Sequence, residues 1–364
     1  MNDVIILAVS LAIILAGAEL FTNGVEWLGV RLRFSEGAVG SILAAVGTAL
    51  PETLIPVIAI VMGNGEAAEE IGIGAILGAP FMLGTLAFFL AGAFAMYYRR
   101  RESERRAMAV DVEVMRRDLF FFLLVYTGAI AASFLPLRPL KLAVGGVLVV
   151  AYLTYVYFTI TRGQGMGEAA RPDLLYLWRG SSKPPTPIIL LQVFLALGGI
   201  LGGARLFVGS VENLALLFGV PAFVLSVIVA PVATELPEKF NSILWIRNGK
   251  DTLALGNITG AMVFQSSLIP ALGIALTPWS LTPLAVTSAV LALVSALIVY
   301  LNLLVKKSMS PTVLVWGGLF YAVFLFTVLV EQTGDERLYA LLIPVSLGIY
   351  LVNRAYMRRA VFSR

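Results

Sequence analysis

The chain has 364 residues, of which 59% are hydrophobic and only 13% are charged. That charged share is about half the usual value for a soluble globular protein, which excludes an ordinary soluble domain. Histidine and cysteine are both absent, which excludes disulfides, thiolate metal sites, Ser-His-Asp triads and histidine-based zinc hydrolases. The formal net charge of +4 is less informative, because in a membrane protein the positions of the positive residues matter more than their sum.

Apolar runs of about 20 residues recur along the chain, which is typical of membrane-spanning helices. The first run, from Val4 to about Leu28, lacks a basic start and a small-residue cleavage site, so we interpret it as a retained span. About 11 spans are predicted. They lie near residues 3–29, 37–62, 70–98, 118–135, 140–161, 187–217, 221–247, 251–276, 282–304, 311–330 and 337–357.

The lysines and arginines separate between the two sets of alternate loops in the ratio of about 21 to 3. The minority set holds only Arg138, Lys141 and Arg337. Because cytoplasmic loops carry the positive excess, this bias predicts a multi-pass cell-membrane protein with its N-terminus outside and its C-terminus in the cytoplasm. The segment 163–186, rich in Gly, Pro and Ser, is predicted to be a cytoplasmic linker between two halves.

The two halves contain an internal repeat. Residues 17–52 match residues 203–238 without gaps at about 14 of 36 positions, well above chance. The match places GTALPE (47–52) on ATELPE (233–238), and it resumes with Gly74 on Gly256. The first copy starts outside and the second, after five spans, starts inside. The copies are therefore inverted, a signature of secondary transporters whose site lies at the repeat interface on broken helices.

The matched motifs combine features that suit a cation site. Pro51 and Pro237 lack an N–H group, so we expect each helix to kink or unwind just before its proline. Unwinding would free backbone carbonyls near 45–48 and 231–234, and such carbonyls and threonine hydroxyls are ligands for Na⁺ or Ca²⁺. Glu52 and Glu238 add charge at membrane depth, where an acid is a functional candidate by default. The alternative is that these acids only pair with Lys239 or Arg205.

These stretches resemble the alpha repeats of the sodium/calcium exchanger superfamily, the calcium/cation antiporters. The family pattern is G-T-S-x-P-E in one helix and G-N-x-x-G-S-N in the next, once per half, and the resemblance covers about residues 15–90 and 200–275. It implies an all-α polytopic membrane protein with two inverted five-helix repeats, the exchanger fold, and an extra C-terminal helix. The implied domains are 1–162, the linker 163–186, 187–330, and 331–364.

The resemblance also implies the site residues. It carries the family's acids onto Glu52 and Glu238 and its threonines onto Thr48 and Thr234. The family serine that follows each threonine is replaced by Ala49 and Glu235. The whole set of predicted cation ligands, including the backbone at Ala45 and Pro231, comprises Glu52, Glu238, Thr48, Thr234, Glu235, Gln265, Asn257, Ala45 and Pro231.

Glu235 has two interpretations. As a ligand it would add charge beside Glu238, which favours proton exchange. As a structural acid it lies four residues before Lys239, the favourable spacing for a helical ion pair.

The function that these observations and the resemblance predict is secondary active cation antiport. Ca²⁺ is expected to exchange for Na⁺ or H⁺ by alternating access, with inorganic cations and the lipid bilayer as partners. No cofactor, nucleic acid or obligate protein partner is expected. The alternatives are a proton-coupled exchanger of altered cation selectivity and a passive cation channel. An enzyme is disfavoured because the chain lacks His, Cys and paired aspartates in matched spans.

Overall fold

The computed structural model describes residues 2–31, 50–63, 65–99, 107–162, 174–178 and 184–361. In the first half, the helices are α1 Asn2–Arg31, α2 Leu50–Met62, α3 Gly65–Met82, α4 Phe88–Arg99, α5 Val112–Ala131 and α6 Arg138–Arg162. In the second half, they are α7 Thr186–Phe218, α8 Ala222–Arg247, α9 Asp251–Gln265, α10 Leu268–Leu276, α11 Pro283–Lys306, α12 Pro311–Leu314, α13 Gly317–Thr333 and α14 Leu342–Val361. A π-helical turn, Leu83–Ala87, joins α3 to α4.

The helices correspond to the predicted spans. Nine helical stretches within the described ranges are long and apolar enough to cross a membrane. The two remaining predicted spans, near 37–62 and 221–247, contain the shorter apolar stretches Glu52–Met62 and Ala222–Val232. Large apolar side chains such as Phe194 and Leu124 are exposed on these helices. An apolar exterior of this kind suits lipid rather than water.

The described chain divides into two compact units. The first unit comprises Met1–Gly72 and Leu153–Leu225, and the second comprises Ile73–Tyr152 and Ser226–Arg364. Each unit therefore draws segments from both repeat halves, whereas the predicted domain boundaries follow the repeats and stay predictions.

The core of the first unit is the packing of α1 against α7. A Cβ built on Gly17 would lie 2.7 Å from Cγ1 of Ile200, and one on Gly203 would lie 2.9 Å from Cγ1 of Ile14. These contacts are reciprocal, because the repeat aligns Gly17 with Gly203 and Ile14 with Ile200. Reciprocal contacts are what a two-fold axis between two copies produces.

The two helices are also antiparallel. Asn213, near the end of α7, donates to Asp3 Oδ1 at the start of α1 over 2.9 Å. At the opposite end, Gly24 of α1 lies against Val193 near the start of α7. Antiparallel packing of matched helices agrees with the inversion predicted from the sequence.

A part of the predicted linker is tied to this helix pair. Gln192 of α7, which is 1% exposed, donates from Nε2 to Asn23 Oδ1 over 3.0 Å and accepts at Oε1 from the Leu177 backbone N–H over 3.0 Å. The Tyr176 hydroxyl donates to Glu19 Oε1 over 2.5 Å. Residues 174–178 are thus anchored to α1 and α7, with Leu175 fully buried.

The second unit is held at one end by a buried ion pair. The Arg99 guanidinium at the end of α4 donates to both carboxylate oxygens of Asp251 at the start of α9. These side chains are 7% and 1% exposed. The backbone N–H of Ala109 donates to Asp251 Oδ2 over 2.7 Å, so the same carboxylate also positions the segment before α5. A carboxylate in the first turn additionally suits the positive end of the helix dipole.

Two of the three basic residues in the less positive set of loops, Lys141 and Arg138, have a structural role in this unit. Lys141 Nζ donates to the carbonyls of Pro278 and Trp279 over 2.9 and 3.1 Å. Arg138 donates to the carbonyls of Ala275 and Thr277. Because the last carbonyls of a helix lack helical donors and carry partial negative charge, Arg138 stabilises the end of α10, and Lys141 holds the segment that follows it.

The predicted extra C-terminal span is present as α14 with its preceding 3₁₀ turn, Glu336–Leu341. None of its apolar window is buried, whereas the window in Gly65–Arg99 is 83% buried. The extra span therefore lies at the periphery of the second unit.

Candidate functional site

Glu52 lies in the first turn of α2, two residues after the helix begins. Its side chain is only 8% exposed. Leu54 packs against the apolar cluster that α1 and α7 form, and Ile55 and Ile58 are buried, which fixes the orientation of this short helix. The positive end of the helix dipole favours a carboxylate at this position. Thr48 and Ala45, the other predicted ligands of this motif, lie outside the described residues.

The second motif lies in the middle of α8, which is one continuous helix through Pro231 and Pro237. The helix does not unwind before Pro237, so that part of the prediction is wrong, and the alternative of a kink stays a prediction. Each proline removes only one hydrogen bond, and Gly78 of α3 lies against Pro231 and Val227 of the continuous helix. The carbonyls that lose their helical donors are those of Val227 and Ala233, four residues before each proline. A ligand role for the Pro231 backbone stays a prediction.

Thr234 is buried at 5% exposure, and its hydroxyl donates to the Ala230 carbonyl over 3.1 Å. This bond uses the hydroxyl proton and leaves the oxygen lone pairs for a cation or another donor. Glu238 lies within α8, but its side chain is outside the described residues. Glu52 and Glu238 belong to different units.

Glu235, Lys239, Gln265 and Asn257 form a polar cluster between α8 and α9, which we term the Lys239 cluster. Lys239 Nζ lies 3.3 Å from Glu235 Oε2, and both side chains are 2% exposed. The same ammonium donates to Asn257 Oδ1 over 2.9 Å. Gln265 Nε2 donates to Glu235 Oε1 over 3.2 Å. Three of the predicted ligands, Glu235, Asn257 and Gln265, are thus brought together around a lysine.

The ion pair that the spacing of Glu235 and Lys239 suggested is therefore present. A buried carboxylate that has a cation on one oxygen and an amide donor on the other is well compensated. Ser242 Oγ also donates to Asn257 Oδ1, over 3.4 Å. Sequence reasoning missed Ser242, although its position three residues after Lys239 places it on the same helix face. The part of Glu235 in binding a transported cation stays a prediction.

The helices that follow the two motifs are interrupted at positions that the repeat matches. In the first half the π-helical turn begins at Leu83, and its backbone is packed against α9, α11 and α13. In the second half α9 ends at Gln265, the counterpart of Leu83, and α10 begins at Leu268. Ser266 and Ser267 between them are fully buried. Sequence reasoning missed these breaks, which the buried glycine and hydroxyl residues at 84–85 and 266–267 could have indicated.

These interruptions matter chemically. Irregular backbone at membrane depth leaves carbonyls without the hydrogen bonds that a regular helix would give them. It is tolerated where it is buried in protein or lines a water-filled cavity. The Ser267 hydroxyl donates to the Val263 carbonyl over 2.6 Å, and Ser295 donates to the Gly84 carbonyl over 2.6 Å. Hydroxyl side chains thus satisfy part of the backbone at both breaks. Within the described residues no group of three or more acidic side chains converges.

Comparisons with known proteins agree with this architecture. The chain matches the family described as "Sodium/calcium exchanger protein" over residues 3–161 and 188–334. CaxA of Alkalimonas amylolytica, which is named provisionally as an antiporter, is 26% identical over 278 residues, 75% of this chain and 81% of CaxA.

Solved structures share the fold. The H⁺/Ca²⁺ exchanger CAX has a TM-score of 0.64 at 18% identity, covering 99% of this chain and 90% of CAX. The sodium-calcium exchanger NCX_Mj, soaked with 2.5 mM Na⁺ and 1 mM Sr²⁺, has a TM-score of 0.53 at 18% identity, covering 89% of this chain and 98% of NCX_Mj. At this level of identity the likeness establishes the fold, and it confirms the predicted all-α polytopic membrane protein with two inverted repeats.

Proposed function

Because the chain belongs to the sodium/calcium exchanger protein family, whose members are cation exchangers, we propose that it is a secondary active antiporter that exchanges Ca²⁺ for Na⁺ or H⁺ by alternating access. The observation that carries this proposal is the burial of Glu52 at the start of α2, in the motif that recurs in the second half. A buried acid in a membrane span is costly unless it is compensated, and a transported cation compensates it in each state.

The proposed roles follow from the chemistry of each group. The carboxylates of Glu52 and Glu238 supply the charge that a divalent cation requires, and Thr48, Thr234 and the backbone at Ala45 and Pro231 supply neutral oxygens. Hard cations such as Ca²⁺ and Na⁺ prefer this all-oxygen set. Glu235, Asn257 and Gln265 add oxygens in the second half, and Lys239 contacts the first two of them. The predicted orientation, with the N-terminus outside and the C-terminus in the cytoplasm, belongs to this proposal.

The counter-ion is proposed to be Na⁺ or H⁺, and one flux experiment separates them. Purified protein in proteoliposomes is loaded with Na⁺, or given an acidic interior, or left without a gradient, and ⁴⁵Ca²⁺ uptake is followed. We expect one of the two outward gradients to accelerate uptake several-fold, because the counter-ion must leave for Ca²⁺ to enter. Equal uptake under all three conditions would favour a passive channel and contradict antiport.

A further inference from the structure

The Lys239 cluster has a feature that the proposed transport cycle does not require. A lysine ammonium, at 2% exposure, occupies the space between a carboxylate and an amide oxygen. Carboxylate and amide oxygens are also the ligands that hard metal cations take in proteins. The ammonium is a compact point charge with three donors, so it can stand where a monovalent metal ion would stand.

In the first half, the repeat counterparts of this acid and this base are both uncharged. The counterpart of Glu235 in the first half is Ala49, and the counterpart of Lys239 is Thr53. The second half thus differs from the first by one added negative and one added positive charge at helical spacing. The two charges cancel, so the net buried charge is unchanged, and the Lys239 ammonium lies beside the Glu235 carboxylate.

The other contacts of the cluster orient the Glu235 carboxylate toward the Lys239 ammonium. Gln265 Nε2 holds Oε1 of Glu235, so Oε2 faces the ammonium. The other amide atom, Gln265 Oε1, is buried and accepts no hydrogen bond from the described residues. The cluster therefore retains a polar oxygen beyond those that Lys239 uses, as a ligand site would and a purely structural pair need not.

We propose that Lys239 is a built-in cation that occupies, on Glu235 and Asn257, a position that a free monovalent cation would otherwise take. The second half then binds one mobile cation fewer than the same oxygen set would without the lysine. The occupancy of this position by Lys239 concerns cation binding and does not depend on transport. Its consequence for the number of exchanged ions rests on the proposed antiport.

The test measures Na⁺ binding, which does not depend on transport. Equilibrium binding of ²²Na⁺ is compared for the wild-type protein, Lys239→Met, and the double variant Glu235→Gln/Lys239→Met, all purified in detergent. Lys239→Met is expected to bind one Na⁺ more per chain than the wild type, because it leaves a buried carboxylate without its cation. The double variant, which removes both charges, is expected to return to the wild-type number.

Folding is controlled within the same set. If Lys239→Met is stable only when Na⁺ replaces N-methyl-D-glucamine in the buffer, the position accepts a free cation, as expected from the stabilisation that a bound ligand gives. If Lys239→Met folds and binds no additional Na⁺, the proposal is wrong. It is equally wrong if Lys239→Met unfolds in both buffers while the double variant folds.

The wild-type protein provides an independent measurement. Crystals soaked in Tl⁺ are expected to show no anomalous peak on Glu235, because Lys239 holds that position. A Tl⁺ peak within coordination distance of Glu235 would overturn the proposal, whatever the variants do. Additional Na⁺ binding in Lys239→Met, together with no coupled Ca²⁺ flux in any form, would retain this inference and refute the antiport. Coupled Ca²⁺ flux, together with no additional Na⁺ binding in Lys239→Met, would support the antiport and refute this inference.

Discussion

Replacing Glu52 with glutamine is expected to reduce gradient-driven ⁴⁵Ca²⁺ uptake to the level of protein-free vesicles. The substitution keeps the size of the side chain, which is only 8% exposed, and removes its charge. Affinity at an oxygen site for Ca²⁺ follows the number of charged ligands. Each loss of about 1.4 kcal/mol in binding lowers affinity tenfold. If Glu52 is one of the two proposed carboxylate ligands, its loss removes much of the driving force for binding a divalent cation.

The matched control for this variant is Glu66→Gln. It makes the same chemical change in the first turn of α3, where the side chain is exposed, so we expect uptake to be unchanged. Glu66→Gln should unfold at the temperature of the wild type, because its side chain is exposed. Uptake by Glu52→Gln is compared only for protein that remains folded in detergent. Wild-type uptake by a folded Glu52→Gln protein would show that Glu52 does not bind the transported cation.

Replacing Arg99 with alanine is expected to destabilise the protein by about 3–5 kcal/mol, the range for removing one partner of a buried ion pair. Asp251 would be left as an uncompensated carboxylate at 1% exposure. The effect should appear as a large fall in the thermal unfolding temperature of the protein purified in detergent. Removing both charges with Arg99→Ala/Asp251→Ala should recover part of the loss, because the two residues act as one unit.

Arg247→Ala is the control for this prediction. Arg247 is an exposed cation in the last turn of α8, and surface substitutions usually change stability by less than about 0.5 kcal/mol. If Arg99→Ala and Arg247→Ala unfold at the same temperature, the Arg99–Asp251 pair does not stabilise the second unit.

The architecture was predictable because two independent patterns agree on it. Hydropathy located the spans, and the repeat predicted their inversion. The contacts of Gly17 with Ile200 and of Gly203 with Ile14 show that matched residues meet reciprocally. The linker was predicted from composition alone, but its hydrogen bonds to Asn23 and Gln192 were not. Such contacts depend on which faces of two distant helices meet, and periodicity does not specify that.

The local predictions at the motifs succeeded less well. Proline was expected to kink or unwind α8, yet the helix continues through Pro231 and Pro237, since tertiary context routinely overrides local propensity. In the part of the chain that the structure describes, backbone irregularities lie in the following helices, at Leu83–Ala87 and at 266–267. The ion pair of Glu235 and Lys239 could be proposed from helical spacing. The partners Asn257 and Gln265 join it only through the packing of α8 on α9.

The measurement that tests antiport most directly is the accumulation of Ca²⁺ against its own gradient. Proteoliposomes carrying an outward gradient of the counter-ion are placed in external Ca²⁺ at the concentration that is already present inside. We expect internal Ca²⁺ to rise above the external level and to fall back when an ionophore dissipates the counter-ion gradient. Internal Ca²⁺ that only equilibrates with the outside, with or without the gradient, would contradict antiport.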